Sequence, residues 1–361
     1  MRFSVLHPND LDAPTERRWL DLLARSNGPK SGFVHPGFAK AVGAGRKDAR
    51  ICLAEDGADL VAVLAIQQTP SRSAMPLGSP ITDHLCLIIA PGRDLPLKQM
   101  VKALKVDRLD LIHANGSEQR LAPFICETTE SLILDLKLHR EQLANNNGVA
   151  KFPLMRDLGR KRRKLEREKG PVSVEAFSQS TADMHQLLQW KTEQYSRNRI
   201  PPILQQIWVS GTLDQLLARP DPDLRLVMFN LRVGETLVAG LIGLQSNSIL
   251  HAWFPAFDPA YSDHSVGSLI WLDMIDAATR TGLSEIDMGP GEYAYKRATA
   301  NAKRRLSYGM VGRANPASLW RGGLWQAQSL LSGLPCAGIA GKLRNLPGRT
   351  RRWFDLRRGL A

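Results

Sequence analysis

Apolar residues gather along this chain in short strand-like runs, and one run is written twice. Leu60-Val61-Ala62-Val63-Leu64, closing on Gln68, returns as Leu237-Val238-Ala239-Gly240-Leu241, closing on Gln245, at an offset of 177 residues. Each copy follows an apolar run and a glycine turn: Ile51-Cys52-Leu53-Ala54 with Asp56-Gly57, and Leu226-Val227-Met228-Phe229 with Gly234-Glu235. A glycine turn between apolar runs is a strong local hairpin signal, so both copies read as β-hairpins. A repeat period near half the chain length predicts two related domains packed together.

The same patterning predicts the other elements. A strand at 2–7 precedes an amphipathic helix over Thr15 to Arg25 that turns Trp19, Leu20, Leu22 and Leu23 inward, and a short helix follows Pro36. Strands at 83–89, 108–113 and 132–136, with a helix at 97–104, complete the first half. Asn145-Asn146-Asn147-Gly148 is a turn-rich break that reads as a linker. The second half opens with a charged helix over 157–169, stopped by Gly170 and Pro171. A strand at 172–177, a helix at 183–195, a further helix and the second hairpin come next. A strand at 249–257, a long helix from about Val266 to Thr281, and strands at 285–288 and 306–311 finish the pattern. Short strands alternating with helices define a mixed α/β (α+β) class with largely antiparallel sheets flanked by helices. The expected domains are 1–144, 145–315 and a basic amphipathic tail at 316–361.

Composition narrows the classes. With 361 residues, 43% hydrophobic and 23% charged, the chain supports two globular domains. No apolar run reaches the roughly 18 residues that span a bilayer, and the first residues lack the apolar core of a secretory signal, so a cytoplasmic protein is expected. Cys52, Cys86, Cys126 and Cys336 are far apart without a CxxC pair, which argues for reduced thiols and against a metal or redox role. The net charge of +13 gathers at 156–169 and in the tail, where it suits nucleic acid, an anionic membrane or a phosphorylated cofactor. Within 156–169, Glu166 and Glu168 allow i,i+4 pairing with Arg162 and Lys164, so a solvated face stands beside contact with a phosphorylated donor, an RNA or a membrane. Aromatic content of 6% without a stacking motif argues against sequence-specific nucleic acid. In the tail, Trp320, Trp325 and Trp353-Phe354 beside Arg349, Arg351, Arg352, Arg357 and Arg358 suit an interfacial helix at the inner face of the cytoplasmic membrane. A terminal helix docked on the core fits them equally.

The segment from His251 to Arg297 carries the chemistry. A strand feeds a small-residue turn and the helix start Val266-Gly267-Ser268, followed by Ile286-Asp287-Met288-Gly289 and Pro290-Gly291-Glu292-Tyr293-Ala294-Tyr295-Lys296-Arg297. Free N–H groups and the positive dipole end make such a helix start an anion site, with Ser265, Gly267 and Ser268 small enough for phosphates to approach. Plain helix capping by serine is the alternative.

These marks resemble the GNAT acyltransferase superfamily, in the two-lobed CelD/BcsL-like branch of bacterial cellulose and exopolysaccharide clusters, itself similar to FemAB/FemX aminoacyltransferases. The resemblance rests on the basic helix before Gly170, on Ala252-Trp253-Phe254, on Tyr261-Ser262…Gly267, on Leu269 and Leu272, and above all on Asp287-Met288-Gly289…Gly291-Glu292…Tyr295-Lys296. It implies two tandem GNAT-like domains, the second holding the donor between splayed strands at 250–256 and 285–289, with its pyrophosphate at Ser265–Ser268. It further implies acetyl-CoA or another acyl-CoA as co-substrate, with Phe254, Ser265, Gly267, Ser268 and Lys296 as donor contacts. His264-Ser265-Val266-Gly267 is poorer in glycine than the usual phosphate loop, which keeps an acyl-carrier protein or an aminoacyl-tRNA open as donor. An amine must lose its proton and a thioester oxygen must be stabilised. Glu292, Asp287 and His251 are the candidate bases, and Tyr295 the candidate acid for the departing thiolate; a solvated loop acid at Glu292, an Asp287 bonded to a neighbouring turn and a satisfied strand histidine at His251 are the alternatives. The function implied is acyl transfer to an amine or hydroxyl of a sugar or lipid-linked polysaccharide precursor. A non-catalytic accessory protein of a membrane polysaccharide synthase and a Fem-like transferase are the alternatives.

Overall fold

The two sequence copies fold as equivalent hairpins. The computed structural model describes residues 1–28, 30–115, 119–145, 155–219, 221–291 and 293–312. The first half holds β1 (Arg2–Leu6), α1 (Ala13–Arg25), α2 (Pro36–Gly43), β2 (Ala49–Asp56), β3 (Asp59–Gln68), β4 (Ser73–Pro76), β5 (Cys86–Ile89), α3 (Leu97–Ala103), β6 (Arg108–Asn115), β7 (Ile125–Asp135) and α4 (Leu136–Asn145). The second holds α5 (Met155–Lys169), β8 (Val172–Ser178), α6 (Thr181–Arg197), α7 (Ile207–Ala218), β9 (Leu224–Val233), β10 (Thr236–Ser246), β11 (Ile249–Phe257), α8 (Val266–Thr279), β12 (Glu285–Pro290), α9 (Ala294–Thr299) and β13 (Ala302–Gly312). The repeated runs are β3 and β10. Both are buried on both faces, which is why their apolar residues do not alternate with polar ones.

The offset of 177 residues extends beyond the hairpins. It carries Arg108, the start of β6, onto Glu285, the start of β12, and carries both ends of β7 onto both ends of β13. These last strands are exchanged between the halves. Strand β13 lies between β6 and β7 of the first half, antiparallel to each, while β7 pairs antiparallel with β12 of the second. Among the described residues the result is one 13-stranded sheet ordered β1-β2-β3-β4-β6-β13-β7-β12-β11-β10-β9-β8, with β5 paired to β3. One apolar core runs from α1, α2 and α3 to α6 and α7 of the second half; the other lies under α5 and α8.

The charged helix α5 differs from its expected pairing. Leu158 and Leu165 face inward, but Arg162 bonds Asp273 of α8 and Glu168 accepts from His264 Nε2 at 3.0 Å. Its charges thus serve tertiary contacts as well as pairs within the helix, where Asp157 meets Arg160 and Lys161 and Lys164 acts on Glu168. No helix among the described residues is long and apolar enough to cross a membrane. Cys52, Cys86 and Cys126 are free thiols. Cys336, Glu292, most of the expected linker and the tail at 316–361 lie outside the described residues.

Strand exchange makes each half depend on the other, because β7 has both its neighbours in the second half. A fragment of residues 1–145 is expected to show no cooperative thermal transition alone, and to regain one when co-expressed with residues 146–361. A fragment with its own sharp transition would contradict this.

Candidate active site

Strands β11 and β12 run parallel and pair over only three positions, Ile249–His251 with Glu285–Asp287. Beyond that point they part, leaving the facing edge of β11 from Ala252 to Phe257 without a strand partner among the described residues. Pro255, which has no N–H to give a ladder, is tolerated on this stretch. On its other edge β11 stays paired with β10 except at a bulge, where the register slips between Ile242 and Gly243 and leaves Trp253 unmatched.

The N-terminus of α8 meets this gap. Ser265 adopts a left-handed conformation at φ 53°, and no side chain caps the first turn. The expected serine cap is therefore not what Ser265 provides: its Oγ accepts from Lys161 Nζ of α5 at 2.6 Å. A Cβ on Gly267 would stand 3.0 Å from the Phe257 ring, so the missing side chain lets the helix start lie against the end of β11. Uncapped N–H groups, the dipole and the Lys161 ammonium give this point a positive potential.

A cavity of about 580 Å³ opens here, and Ser265, Gly267, Ser268, Tyr295 and Lys296 all line it. Tyr295 packs edge-on against Trp271 at 4.8 Å, and burial, with Tyr293 nearby, pushes its phenol up to about 12. Lys296 is buried, donating to the carbonyls of Gly289 at 3.3 Å and Pro290 at 3.2 Å. Burial lowers its pKa, against the pull of Asp83 and Asp287. Lys191 of α6, which no sequence signal marked, donates to the Pro255 carbonyl at 3.0 Å. Burial, reinforced by Lys296, brings it down to about 8. Phe254 departs from expectation. It is buried in the first core, stacked on Trp253 at 4.7 Å, and does not line the cavity.

The two proposed bases on β11 and β12 are also placed differently. Asp287 is fully buried and its carboxylate is taken by donors: Ser131 Oγ at 2.5 Å, Arg304 Nη1 at 2.6 Å, the Gly289 N–H at 2.9 Å and His84 Nε2 at 3.0 Å. Desolvation opposes its charge, but the His84 bond and the neighbouring His251 and Arg304 outweigh it and hold the pKa far below the usual range. A substrate in the cavity has no access to it. His84, His251 and Asp287 bring ligand atoms within 4.8 Å of one another, yet with Asp287 so engaged they form a hydrogen-bonded ion network. His251 is 1% exposed and meets the cavity only through Asp83, whose Oδ2 accepts from Nε2 at 2.8 Å. Asp83, 27% exposed and part of the cavity wall, comes from the first half. Gly289 explains the Asp-Met-Gly spelling. It sits at φ 69°, its N–H closes the turn onto Asp287, and a Cβ there would stand 2.9 Å from Asp83 Oδ2.

With this geometry, known proteins can be compared. Residues 154–297 match the model of the acetyltransferase (GNAT) domain. FemX is similar over 88% of this chain and 99% of its own, at 10% identity and a TM-score of 0.56. A tandem GNAT protein from the clavulanic acid biosynthesis pathway is similar over 87% and 99%, at 15% identity and 0.51. The C-terminal domain of a putative lysylphosphatidylglycerol synthetase from Agrobacterium fabrum is similar over 85% and 94%, at 13% identity and 0.51. No curated protein sequence matches. The chain thus carries the GNAT fold in tandem, and the cavity lies between the splayed strands of the copy that the acetyltransferase model matches.

Removing the Asp287 charge leaves its buried donors unpaired, which costs about 3–5 kcal/mol. Asp287→Asn is expected to unfold at much lower urea concentration. Because the folded-state pKa is depressed, the charge stabilises the wild type above about pH 4 and that contribution is lost as pH falls further. The variant is expected to show a flatter acid limb in urea midpoints measured from pH 7 down to about 3; equal midpoints at pH 7 would contradict the assignment.

Proposed function

We propose that the protein is an acyl-CoA-dependent acyltransferase acting on an amine or hydroxyl of a sugar or lipid-linked precursor in bacterial polysaccharide or cellulose biosynthesis. The observation that carries the donor reading is the meeting of an open β-edge and an uncapped helix N-terminus in one cavity. An extended, amide-bearing pantetheine can add to the β11 edge as a further strand would. Its phosphates then reach the α8 N-terminus beside Lys161. The thioester oxygen lies where N–H groups of the open edge and the Lys191 ammonium can stabilise developing charge. Tyr295, a protonated phenol on the cavity wall, supplies a proton to the departing thiolate. The polysaccharide assignment rests on the CelD/BcsL-like spelling around Asp287-Met288-Gly289 and Tyr295-Lys296.

One observation favours a second donor class. Beside Lys161, α5 exposes Arg163, Lys164 and Lys169, a surface suited to a larger polyanion such as an aminoacyl-tRNA.

Calorimetric titration with acetyl-CoA and longer acyl-CoAs tests the donor. One saturable site is expected, lost in Gly267→Trp and weakened about tenfold in Lys161→Ala, the worth of one charge-assisted hydrogen bond. Absence of binding by the wild type would turn the assignment to a carrier-protein or tRNA donor, or to the accessory role. Tyr295→Phe is expected to lower kcat by at least about tenfold with donor affinity unchanged; full turnover would remove Tyr295 from the chemistry.

A further inference from the structure

The matched acetyltransferase segment at 154–297 contains no carboxylate that both lines the cavity and is described in the structure; the one that lines it is Asp83, from the first half. It sits in the loop between β4 and β5, and 168 residues separate it from its partner His251. Among the described residues the imidazole has no other hydrogen bond: its Nδ1 is buried without a partner there, 3.8 Å from Asp287 Oδ1. The ring is held edge-on by Phe33 at 4.8 Å, so Nε2–H is aimed at a single acceptor. That bond fixes Asp83 Oδ2, while Oδ1 makes no hydrogen bond to any described residue. Gly289 keeps the space beside Oδ2 clear of any Cβ.

We propose that Asp83 is the catalytic residue that takes the proton from the acceptor's nucleophile, and that His251 is the positioning residue that holds it. This deepens the acyltransferase reading and rests on the cavity holding an acyl donor. The N–C or O–C bond forms at the thioester carbon as the nucleophile's proton passes to Asp83 Oδ1. The C–S bond breaks with its electron pair on sulfur. The thiolate takes a proton from Tyr295, which recovers one from solvent, and Asp83 releases its own proton to solvent. The active site is therefore composite: the second copy binds the donor and the first supplies the base.

The groups facing Asp83 set its charge. They are His251 on β11, His84 beside it, His113 on β6 and Lys296 on α9, with Tyr195 of α6 across the cavity. Burial opposes ionisation, but the His251 bond and the surrounding imidazoles outweigh it and hold the carboxyl below its ordinary value. Asp83 is then an ionised base at neutral pH, and acid that protonates it lowers the rate. Losing the His251 bond raises its pKa, so the acid limb of the rate profile moves to higher pH.

The test follows thiol release from acetyl-CoA with water or glucosamine as nucleophile, after calorimetry of acetyl-CoA binding on each variant. Asp83→Asn is expected to bind acetyl-CoA as the wild type does and to lose about a hundredfold to ten-thousandfold in rate, together with the acid limb. His251→Leu is expected to shift that limb to higher pH, and His251→Gln, which keeps an N–H near Nε2, to move it back. An Asp83→Asn enzyme that binds the donor and turns over normally overturns the proposal. So does a wild type that binds acetyl-CoA and releases thiol no faster than buffer, since a carboxylate poised in the donor cavity activates water. A wild type that does not bind acetyl-CoA is a separate result, read before any rate, and removes the donor reading along with the inference.

Discussion

A single buried carboxylate holds the two halves in register. Asp287 stands on β12 with no solvent contact, and its partners come from a first-half loop (His84), an exchanged first-half strand (Ser131 on β7) and an exchanged second-half strand (Arg304 on β13). An unpaired charge at that depth is costly, so the network is sound only when all of these strands are in place. Arg304 also reaches Glu285, at 2.7 Å, tying the start of β12 to the same point. Hydrophobic burial supplies the bulk of the stabilisation, but it is non-directional. The ion network is directional, and it specifies which strand lies beside which.

The consequence for chemistry is positional. Strands β11 and β12 stay paired as far as His251 and Asp287, the level of the buried network, and part immediately beyond it. The gap that forms the cavity therefore begins where the directional contacts end. The turn that Asp287 makes with the Gly289 N–H bends β12 away, and the absent Cβ at Gly289 leaves room for Asp83. One short stretch, Asp287-Met288-Gly289, thus joins the interlock, the opening and the first-half carboxylate.

Much of this was legible in the sequence, and what was missed has physical reasons. The hairpins, the strand at 249–257 and the helix from Val266 were readable because their apolar periodicity is strong and local. The first part of β7 escaped notice, since Cys126-Glu127-Thr128-Thr129-Glu130 offers no apolar alternation; its pairing is imposed by β13. Ser265, Gly267, Ser268, Tyr295 and Lys296 were found through local motif and do share one cavity. Asp287 and His251 stand out in the sequence as candidate bases or as satisfied structural groups, and only the sheet decides between contacts, because burial cannot be read from a single strand. Asp83 and Lys191 had no signal at all. Their place in the cavity depends on packing across halves or on a helix face whose partner the sequence does not name.

The two copies also differ at the place where the cavity opens. The 177-residue offset places Asp287 over Asp110, and Asp110 is likewise buried, paired with Arg108 at 2.9 Å. Both copies thus keep a buried aspartate on the equivalent strand. They differ in what precedes it. In the second copy β11 runs nine residues into the loop before the 14-residue helix α8. In the first, β4 is only four residues long and α3 seven, and β5 with its leading loop fills the space between. The loop ahead of β5 carries Asp83 and His84, and both reach the other copy. The loop between β4 and β5 of the first copy thus lines the cavity that opens in the second and contributes its carboxylate.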